Sequence, residues 1–434
     1  MKLWPLFAFV VAALPLPAQA ELSAPERRMA QLAEQERERS IQLLERMVNQ
    51  NSGTLNLAGV EAVGRMVREE LEPLGFEVRW VDMRATGRAG HLIATHEAGG
   101  RGKRVLLIGH LDTVFEPDSP FQRFERQGNR ATGPGIGDDK GGLAVIIGGM
   151  RAMHAAGTLR NADVTIVLTG DEERPGAPLA VARRDLIEAG RNAEAALEFE
   201  NLAREDGRDF GTVARRSSTS WTLRTTGRTG HSSAIFGESL GYGAIYEMAR
   251  ILDAFRRELP EPNLTYNVGV IAGGTPAAID EQGFRVTASG KTNIVAETAV
   301  ARGDIRTLSA EQEQGVRARM QAIVAQHLPQ TQAELVFAED GYPPMPPSEG
   351  NRRLLARLNA VNRDLGLPEM PEYDPARRGA ADSSFVAADV DTLAGLGAAG
   401  GGAHAVGEWI DLESLPRQAA RAAILITRLS REPR

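Results

Sequence analysis

The chain has no cysteine among its 434 residues. This absence excludes a disulfide framework, a thiolate metal site, a cysteine nucleophile and a lipid-modified N-terminal cysteine. It also suits an oxidising compartment, where an unpaired thiol would be a liability. If the protein binds metal, its side-chain ligands are therefore expected to be histidines and carboxylates.

Lysine and long apolar runs are also scarce. Only four of the 50 basic residues are lysine, so arginine is the default cation and an isolated arginine indicates little. The formal net charge of −7 argues against a nucleic-acid partner. Beyond residue 20 no apolar run reaches the roughly 20 residues that a membrane-spanning helix needs. We therefore expect a mature protein with neither a nucleic-acid partner nor a membrane span.

The first 20 residues have the pattern of a secretory signal peptide. Lys2 supplies a positive charge, Leu3–Leu16 form a short apolar stretch, and Ala18-Gln19-Ala20 fits the small-x-small cleavage rule. We expect residues 1–20 to be removed and the mature chain to be exported, to the periplasm or the extracellular medium. An uncleaved anchor is the alternative, but the apolar stretch is too short to span a bilayer.

The length of 434 residues exceeds that of one ordinary domain of about 100–200 residues. Up to residue 213, strand patterns alternate with helix patterns, which predicts an α/β domain with a mixed, mostly parallel sheet flanked by helices. From residue 214 the strand patterns are half polar, in a β-α-β-β-α order. We expect a first domain at 21–213, an inserted ferredoxin-like α+β domain at 214–328, and a return to the first domain at 329–434 with the strand AELVFA.

Polar residues follow the apolar, β-rich runs, where open α/β sheets collect their chemistry. His110 ends the run RVLLIGH, and Asp112, two residues on, points to the same side of an extended backbone. A metal-bound histidine usually gives its other ring N–H to a carboxylate, and H-x-D supplies both groups. Taken alone, the motif describes a hydrogen-bonded structural histidine at least as well.

The segment GPGIGDDKGG places Asp138 among glycines, which permit a tight backbone path near a ligand. Its spacing fits neither G-x-x-x-x-G-K-[ST] nor G-x-G-x-x-G, and an acidic pair would repel phosphate. A carboxylate that bridges two cations is the better use of this loop. A solvated turn before a helix is the alternative.

Two adjacent glutamates, Glu172 and Glu173, follow the strand VTIVL. One can bind metal while its neighbour faces water and acts as a general base; a charged loop is the alternative. Glu200 follows AALEF, with Glu198 as an alternative on the same face, and His404 follows GLGAAGGG. Two histidines and several carboxylates suit two divalent cations, such as zinc, that share a carboxylate.

Five motifs in order resemble the M20 metallopeptidases, and among them the glutamate carboxypeptidase (carboxypeptidase G2-like) branch. They are H-x-D-T, G-x-G-x-x-D-x-K-G, T-x-D-E-E-x-x-G, a later Glu after an apolar strand, and G-G-x-H-x-x-x-E. The resemblance implies a zinc-exopeptidase-like catalytic domain with an inserted lid and dimerisation domain. It also implies two zinc ions, with manganese or cobalt as alternatives. Asp138 would bridge them, His110 and Glu200 would complete one site, and Glu173 and His404 the other.

The resemblance further implies that Glu172 is the general base and that Asp112 orients the histidine two residues before it. His231 in GRTGHSS resembles a lid histidine that stabilises the oxyanion, often in the site of the other subunit. Asn293 and Arg306 resemble lid residues that grip the substrate carboxylate, a task that suits the arginine fork. The alternatives are a loop histidine that binds its own backbone and an arginine paired with a neighbouring aspartate.

The sequence therefore predicts an exported, homodimeric, dinuclear zinc metallopeptidase. It would hydrolyse the amide bond of small peptides or N-acyl amino acids, by carboxypeptidase-type release of a C-terminal, glutamate-like amino acid. The alternatives are an N-acyl amino acid amidohydrolase of the same fold and a non-catalytic peptide-binding protein on this scaffold. A serine hydrolase is disfavoured, because the G-x-S-x-G match at 237–241 follows no buried strand. Asn201-Leu202 and RRGAADSSF at 377–385 depart from the family pattern, in segments expected near the substrate pocket.

Overall fold

The computed structural model describes residues 21–280, 283 and 285–434. The expected signal peptide at 1–20 lies outside the described residues. Within the part of the chain that is described, no helix combines the length and the apolar character that crossing a bilayer requires.

The described chain begins and ends with helices, and helices and strands alternate between them. The helices are α1 (Ala24–Gln35), α2 (Arg37–Asn49), α3 (Leu57–Leu71), α4 (Gly142–Ala155), α5 (Leu179–Ala182), α6 (Arg184–Arg191), α7 (Gly243–Glu258), α8 (Ala310–Val324), α9 (Glu349–Asp364) and α10 (Ser414–Leu429). The strands are β1 (Glu77–Asp82), β2 (Gly90–His96), β3 (Val105–His110), β4 (Glu125–Gln127), β5 (Arg130–Thr132), β6 (Val164–Thr169), β7 (Ala195–Glu198), β8 (Ala203–Glu205), β9 (Arg208–Phe210), β10 (Thr219–Gly227), β11 (Thr265–Gly274), β12 (Ala277–Ile279), β13 (Val286–Ala288), β14 (Thr298–Arg306), β15 (Thr331–Phe337), β16 (Thr392–Leu393), β17 (Gly400–Gly401) and β18 (Trp409–Asp411).

The first sheet has the strand order β1-β2-β6-β3-β7-β16 among the described residues. Strands β6, β3, β7 and β16 are parallel to one another, whereas β2 is antiparallel to both of its neighbours. The parallel strands are apolar runs that are almost entirely buried, as strands covered by helices on both faces must be. The predicted fold class, a mixed and mostly parallel sheet flanked by helices, is confirmed.

Helix α10 packs against α4 and α1 in the layer that covers this sheet. The approach of α10 to α4 is close because small residues meet there. A carbon added to Gly148 would lie 3.2 Å from Cβ of Ala419. Residues 422–426 of α10 are all buried and belong to the largest apolar cluster among the described residues.

The second sheet is antiparallel, with the order β11-β14-β10-β15. With α7 and α8 it gives the β-α-β-β-α-β sequence of a ferredoxin-like unit. Its apolar cluster, which includes Trp221, Met248, Phe255, Ile305 and Met320, is separate from that of the first sheet. The strand AELVFA was expected in the resumed first domain, but it pairs within the second sheet. These residues form β15, which pairs with β10 and buries its apolar side against this second cluster.

Two extended segments join the sheets, and we call them the crossover: residues 215–218 and 342–345. They run antiparallel, because Arg215 and Met345 exchange backbone hydrogen bonds and Ser218 and Tyr342 do the same. The first segment leads into β10, and the second returns from β15. The division into domains at 213/214 and 328/329 stays a prediction, and the pairing of β15 favours a second boundary beyond residue 337.

Apolar spacing predicts one continuous helix over residues 25–49 and another over 178–188, but each is interrupted. The segment 25–49 divides at Glu36, and the segment 178–188 divides at Arg183. At Arg183 the backbone departs from helical geometry, with φ −108° and ψ 2°, and the wholly buried side chain donates to Asp171 and Asp382. Apolar periodicity does not detect such an interruption, since the pattern continues in phase on both sides.

The two separate apolar clusters predict that core damage stays local. We expect Phe255→Ala to lower the free energy of unfolding of the second sheet by about 3–5 kcal/mol through loss of burial and an added cavity. Hydrogen exchange should then accelerate in β10, β11 and β14, with β3 and β6 unchanged. Leu425→Ala in α10 is the reciprocal control, expected to cost about 2–5 kcal/mol and to loosen the first sheet. Acceleration of exchange in both sheets by either variant would contradict two separate units.

Candidate metal centre

Histidine and carboxylate side chains converge at the carboxyl edge of the first sheet. Their ligand atoms form three overlapping groups, in each of which all atoms lie within 4.8 Å of one another: His110 with Asp138 and Glu200; Asp138 with Glu173 and His404; and His110 with Glu172 and Glu173. Six of the seven residues of the predicted metal centre belong to these groups. The seventh, Asp112, contacts His110. No other such group occurs among the described residues.

Strand ends supply most of these side chains. His110 is the last residue of β3, Glu172 follows the end of β6 by three residues, and Glu200 follows the end of β7 by two. These strands are parallel neighbours, so their carboxyl ends meet at one edge. Asp138 lies in the loop before α4, and His404 lies between β17 and β18.

Asp138 lies between the two histidines. Its Oδ1 is 2.9 Å from Nε2 of His110, and its Oδ2 is 3.1 Å from Nε2 of His404. Burial opposes ionisation, but hydrogen bonds to both histidines hold the pKa of Asp138 well below its usual value. The geometry of a carboxylate with one oxygen toward each histidine is that expected of a bridging ligand.

Glu408 fixes the loop that carries this aspartate. One of its carboxylate oxygens accepts hydrogen bonds from the N–H groups of Gly137 and Asp138, at 2.8 and 2.9 Å. The other accepts one from the N–H of Gly135 at 3.2 Å. The peptide bond between Asp138 and Asp139 is cis. Glu408 therefore holds the loop in place through its backbone.

Asp112 anchors both His110 and the turn with the two glutamates. Nδ1 of His110 is 3.4 Å from Oδ1 of Asp112 and 3.1 Å from its backbone oxygen. The same carboxylate accepts hydrogen bonds from the N–H groups of Glu172 and Glu173, at 3.0 and 3.2 Å, and from Oγ1 of Thr54 at 2.6 Å. One buried carboxylate thus sets the positions of three predicted site residues.

The cluster carries an excess of negative charge. Burial raises the pKa of Glu172 well above its usual value, and the nearby Glu200 and Glu173 raise it further against the opposing effect of His110. Hydrogen bonds to Asp138 and Glu173 raise the pKa of His404 to about 11. Buried carboxylates without enough positive charge are costly, so the site favours a cation.

A divalent cation fits this donor set. Oε1 of Glu173 is buried and has no hydrogen-bond partner among the described atoms, while its Oε2 lies 3.1 Å from Nε2 of His404. Imidazole and carboxylate ligands without thiolate suit zinc, manganese or cobalt. The unpaired oxygen beside a histidine nitrogen is the kind of atom that a metal ion would satisfy.

The geometry distinguishes Glu200 from Glu198. Both oxygens of Glu198 are engaged, by Arg215 at 2.6 Å and by Oγ of Ser383 at 2.8 Å, with the N–H of Gly395 at 3.3 Å. Glu200 shares Arg215, at 2.7 Å, but also lies with His110 and Asp138. Glu200 is therefore the glutamate available as a ligand, and Glu198 holds the arginine that orients it.

The three predicted substrate residues lie in the second unit. His231 is exposed, and its Nδ1 lies 2.8 Å from Oγ of Ser233, as in the alternative reading of a loop histidine. Asn293 is its neighbour, because the N–H of Ser232 donates to the Asn293 carbonyl at 2.9 Å. Arg306 pairs with Asp304 at 2.9 Å, as its alternative reading expects.

Arg306 is remote from the other two. It is the last of the nine residues of β14, beside the crossover, whereas Asn293 precedes the first. Nine strand residues span roughly 25–30 Å. The crossover contacts the metal cluster through Arg215 and Tyr342, so His231 and Asn293 lie at the far end of the second sheet within one copy of the chain.

Several residues of the site were not predicted from sequence. Glu408 stands in the G-G-x-H-x-x-x-E motif, which was the available signal, but no role followed from it. Arg183, Arg215 and Tyr342 carried no signal, since arginine is abundant here and their partners are distant in the chain. Ser239, of the G-x-S-x-G match, lies in an exposed turn.

The sequence matches the family model of "Peptidase family M20/M25/M40" over residues 106–428. It is 27% identical over 408 residues to carboxypeptidase G2 from Pseudomonas sp. strain RS-16, with 91% of this chain and 90% of that relative covered. It is 25% identical over 364 residues to succinyl-diaminopimelate desuccinylase from Burkholderia ambifaria, with 80% of this chain and 88% of the relative covered.

Solved structures agree on the fold. Aminopeptidase PepT from Bacillus cereus superposes with a TM-score of 0.72 at 19% identity, over 91% of this chain and 99% of that one. The Bacillus subtilis YXEP protein, described as a dinuclear metal binding peptidase of the M20 family, superposes with a TM-score of 0.63 at 16% identity, over 92% and 99% of the two chains. The chain belongs to peptidase family M20/M25/M40 and is a metal-dependent hydrolase.

Proposed function

We propose that this chain is an exported dinuclear zinc metallopeptidase. It hydrolyses the amide bond of a small peptide or an N-acyl amino acid and releases a C-terminal, glutamate-like amino acid. The observation that carries the proposal is Asp138, whose two oxygens face His110 and His404 inside a cluster in which carboxylates outnumber the cationic side chains. The likeness to carboxypeptidase G2 over 91% of this chain supports the carboxypeptidase reaction.

In this proposal, His110 and Glu200 hold one ion, Glu173 and His404 hold the other, and Asp138 is shared. Bound divalent cations would polarise the scissile carbonyl group and lower the pKa of a water molecule. Histidine and carboxylate ligands allow manganese or cobalt as alternatives to zinc.

The chain's own residues then move the proton and orient the substrate. Glu172 accepts a proton from the attacking water and passes it to the leaving nitrogen. Asp112 keeps the imidazole of His110 in the tautomer that leaves Nε2 free. His231 donates to the developing oxyanion, and Arg306 and Asn293 bind the substrate carboxylate.

Two copies of the chain are required for this assignment. His231 and Asn293 lie roughly a strand length, about 25–30 Å, from the crossover in their own copy. A symmetric dimer through the second unit would bring them to the site of the other copy. Exposed apolar side chains on α7 and β11, including Ile245, Tyr246 and Ile271, give this unit a surface to bury.

An N-acyl amino acid amidohydrolase is the second candidate. The similarity to a succinyl-diaminopimelate desuccinylase over 80% of this chain favours it. Both reactions hydrolyse an amide with the same residues. They differ only in the group that carries the scissile carbonyl, which is a peptide in one case and a simple acyl group in the other. A peptide-binding protein without catalysis is disfavoured, because the predicted base and ligands are all present and in contact.

Substrate class and metal dependence can be tested together. We expect a panel of N-blocked amino acids and dipeptides, followed by mass spectrometry, to show cleavage before a C-terminal acidic residue, and a chelator to abolish it. If the free ion concentration is 1,000 times the Kd of a site, removal of that ion should also lower the free energy of unfolding by about 4 kcal/mol, seen as a lower Tm. Elemental analysis should find two ions per chain. Cleavage that survives complete metal removal would contradict the proposal.

Glu172 and Glu173 should have opposite signatures. We expect Glu172→Gln to keep both ions and to lose about 10²–10⁴-fold in kcat, because it removes the base and no ligand. Glu173→Gln is the matched control and should lose one ion. Because Glu172 also lies in one of the three ligand groups, loss of an ion from Glu172→Gln would assign it as a ligand instead.

Mixing two inactive variants tests the shared site. Glu172→Gln lacks the base, and His231→Ala lacks the oxyanion donor, so each alone should be nearly inactive. After subunit exchange, hybrid dimers regain one complete site, and an equal mixture should recover about a quarter of the wild-type activity. Absence of recovery, with hybrids verified by native mass spectrometry, would show that His231 does not act across the dimer.

A further inference from the structure

Tyr342 connects the crossover to the peptide unit that follows Glu172. Its hydroxyl donates a hydrogen bond to the carbonyl oxygen of Glu172 at 2.7 Å. The tyrosine is 9% exposed, and its ring meets Phe385 edge-on with centroids 4.8 Å apart. Packing therefore fixes the ring, and the ring fixes the oxygen that contacts Glu172.

Arg183 determines which way the hydroxyl proton points. Its Nη2 donates to Oη of Tyr342 at 2.8 Å. A guanidinium group has no acceptor, so the hydroxyl proton cannot point back toward it. Arg183 is itself immobilised, since it is fully buried and donates to Oδ1 of Asp171 at 2.6 Å and Oδ1 of Asp382 at 2.7 Å. The proton of Tyr342 is left for the Glu172 carbonyl.

The backbone of Glu172 is held on both sides. Its N–H donates to Asp112 at 3.0 Å, and its carbonyl accepts from Tyr342. A general base must lie within hydrogen-bond reach of the proton that it removes. Because the carboxylate of Glu172 extends from this backbone, a rotation of the peptide displaces the carboxylate.

Tyr342 also belongs to the connection between the two sheets. Its backbone exchanges hydrogen bonds with Ser218, the residue before β10, at 3.0 and 2.9 Å. Both segments of the crossover therefore meet at this tyrosine. A movement of the second unit relative to the first would reach the Glu172 peptide through a single side chain.

We propose that Tyr342 is a positioning residue that fixes the peptide of Glu172 and ties the orientation of the base to the crossover. The inference rests on the proposed role of Glu172 as the general base. Tyr342 acts through this backbone contact, and among the described residues its hydroxyl contacts no side chain of a proposed metal ligand. Glu173 follows in the same turn but keeps its own anchors, an N–H bond to Asp112 and a side-chain contact with His404, so we expect loss of the hydroxyl to affect the chemical step more than metal binding.

Tyr342→Phe tests the proposal, because it removes the hydroxyl and keeps the ring on Phe385. We expect kcat to fall roughly 10- to 100-fold, as displacement of a catalytic group does, with KM and metal content close to wild type. Amide exchange in residues 170–177, followed by mass spectrometry, should accelerate. Tyr266→Phe is the matched control, since its hydroxyl also donates to a backbone carbonyl, that of Phe255, at 2.8 Å.

The outcomes separate the possible errors. A kcat for Tyr342→Phe equal to that of Tyr266→Phe, with a similar loss in Tm, overturns the proposal, because the hydroxyl is then only structural. A raised KM with unchanged kcat also overturns it, in favour of a substrate contact. If the wild-type protein hydrolyses nothing, the proposed function has failed. The exchange experiment still decides whether Tyr342 holds the turn.

Discussion

Buried carboxylates at the carboxyl edge of the first sheet are the constraint on which the rest of the structure depends. Each must be hydrogen-bonded or paired with positive charge, because an isolated buried charge is prohibitively costly. The chain meets this demand in two ways. Asp171 and Asp382 share Arg183, and Glu198 holds Arg215, in direct ion pairs. Asp138 and Glu173 face only histidines, and Oε1 of Glu173 has no partner among the described atoms.

The carboxylates paired with arginine outside the metal cluster therefore have a structural role, whereas those that face histidines are the candidate metal ligands. A buried ion pair gains little net stability over well-packed apolar residues, but removal of one member is strongly destabilising, so such pairs fix geometry. Arg183 joins the turn after β6 to residues that lie 159 and 199 positions further along the chain, and Arg215 donates to the carbonyl of Gly379 as well as to Glu200 beside the metal cluster. Arg215 contacts two glutamates, so it orients Glu200 without neutralising the site. A bound divalent cation would balance the remaining carboxylates of the cluster.

The sequence predicted the candidate metal ligands at the edge of the first sheet better than it predicted the residues that contact and support them. His110, Glu200 and the two adjacent glutamates each follow an apolar run, and parallel strands bring such ends together whatever the details of packing. The roles of Arg183 and Tyr342 depend on contacts between residues 159 apart, which no local pattern encodes. The pairing of AELVFA with β10 was not predicted for the same reason: alternation identifies a strand but not its neighbour.

The place of the insertion follows from the chemistry. The second unit leaves the first after Glu200 and returns at Tyr342, so both of its connections lie beside the metal cluster. Arg306, at the near end of β14, can serve the site of its own copy, whereas His231 and Asn293 lie at the far end. If residues at both ends of the inserted unit act on substrate, as proposed, the far end must therefore act at the site of a second copy of the chain. Its near end contacts the peptide that follows Glu172, so in the proposed dimer the same sheet would link assembly to the position of the proposed base.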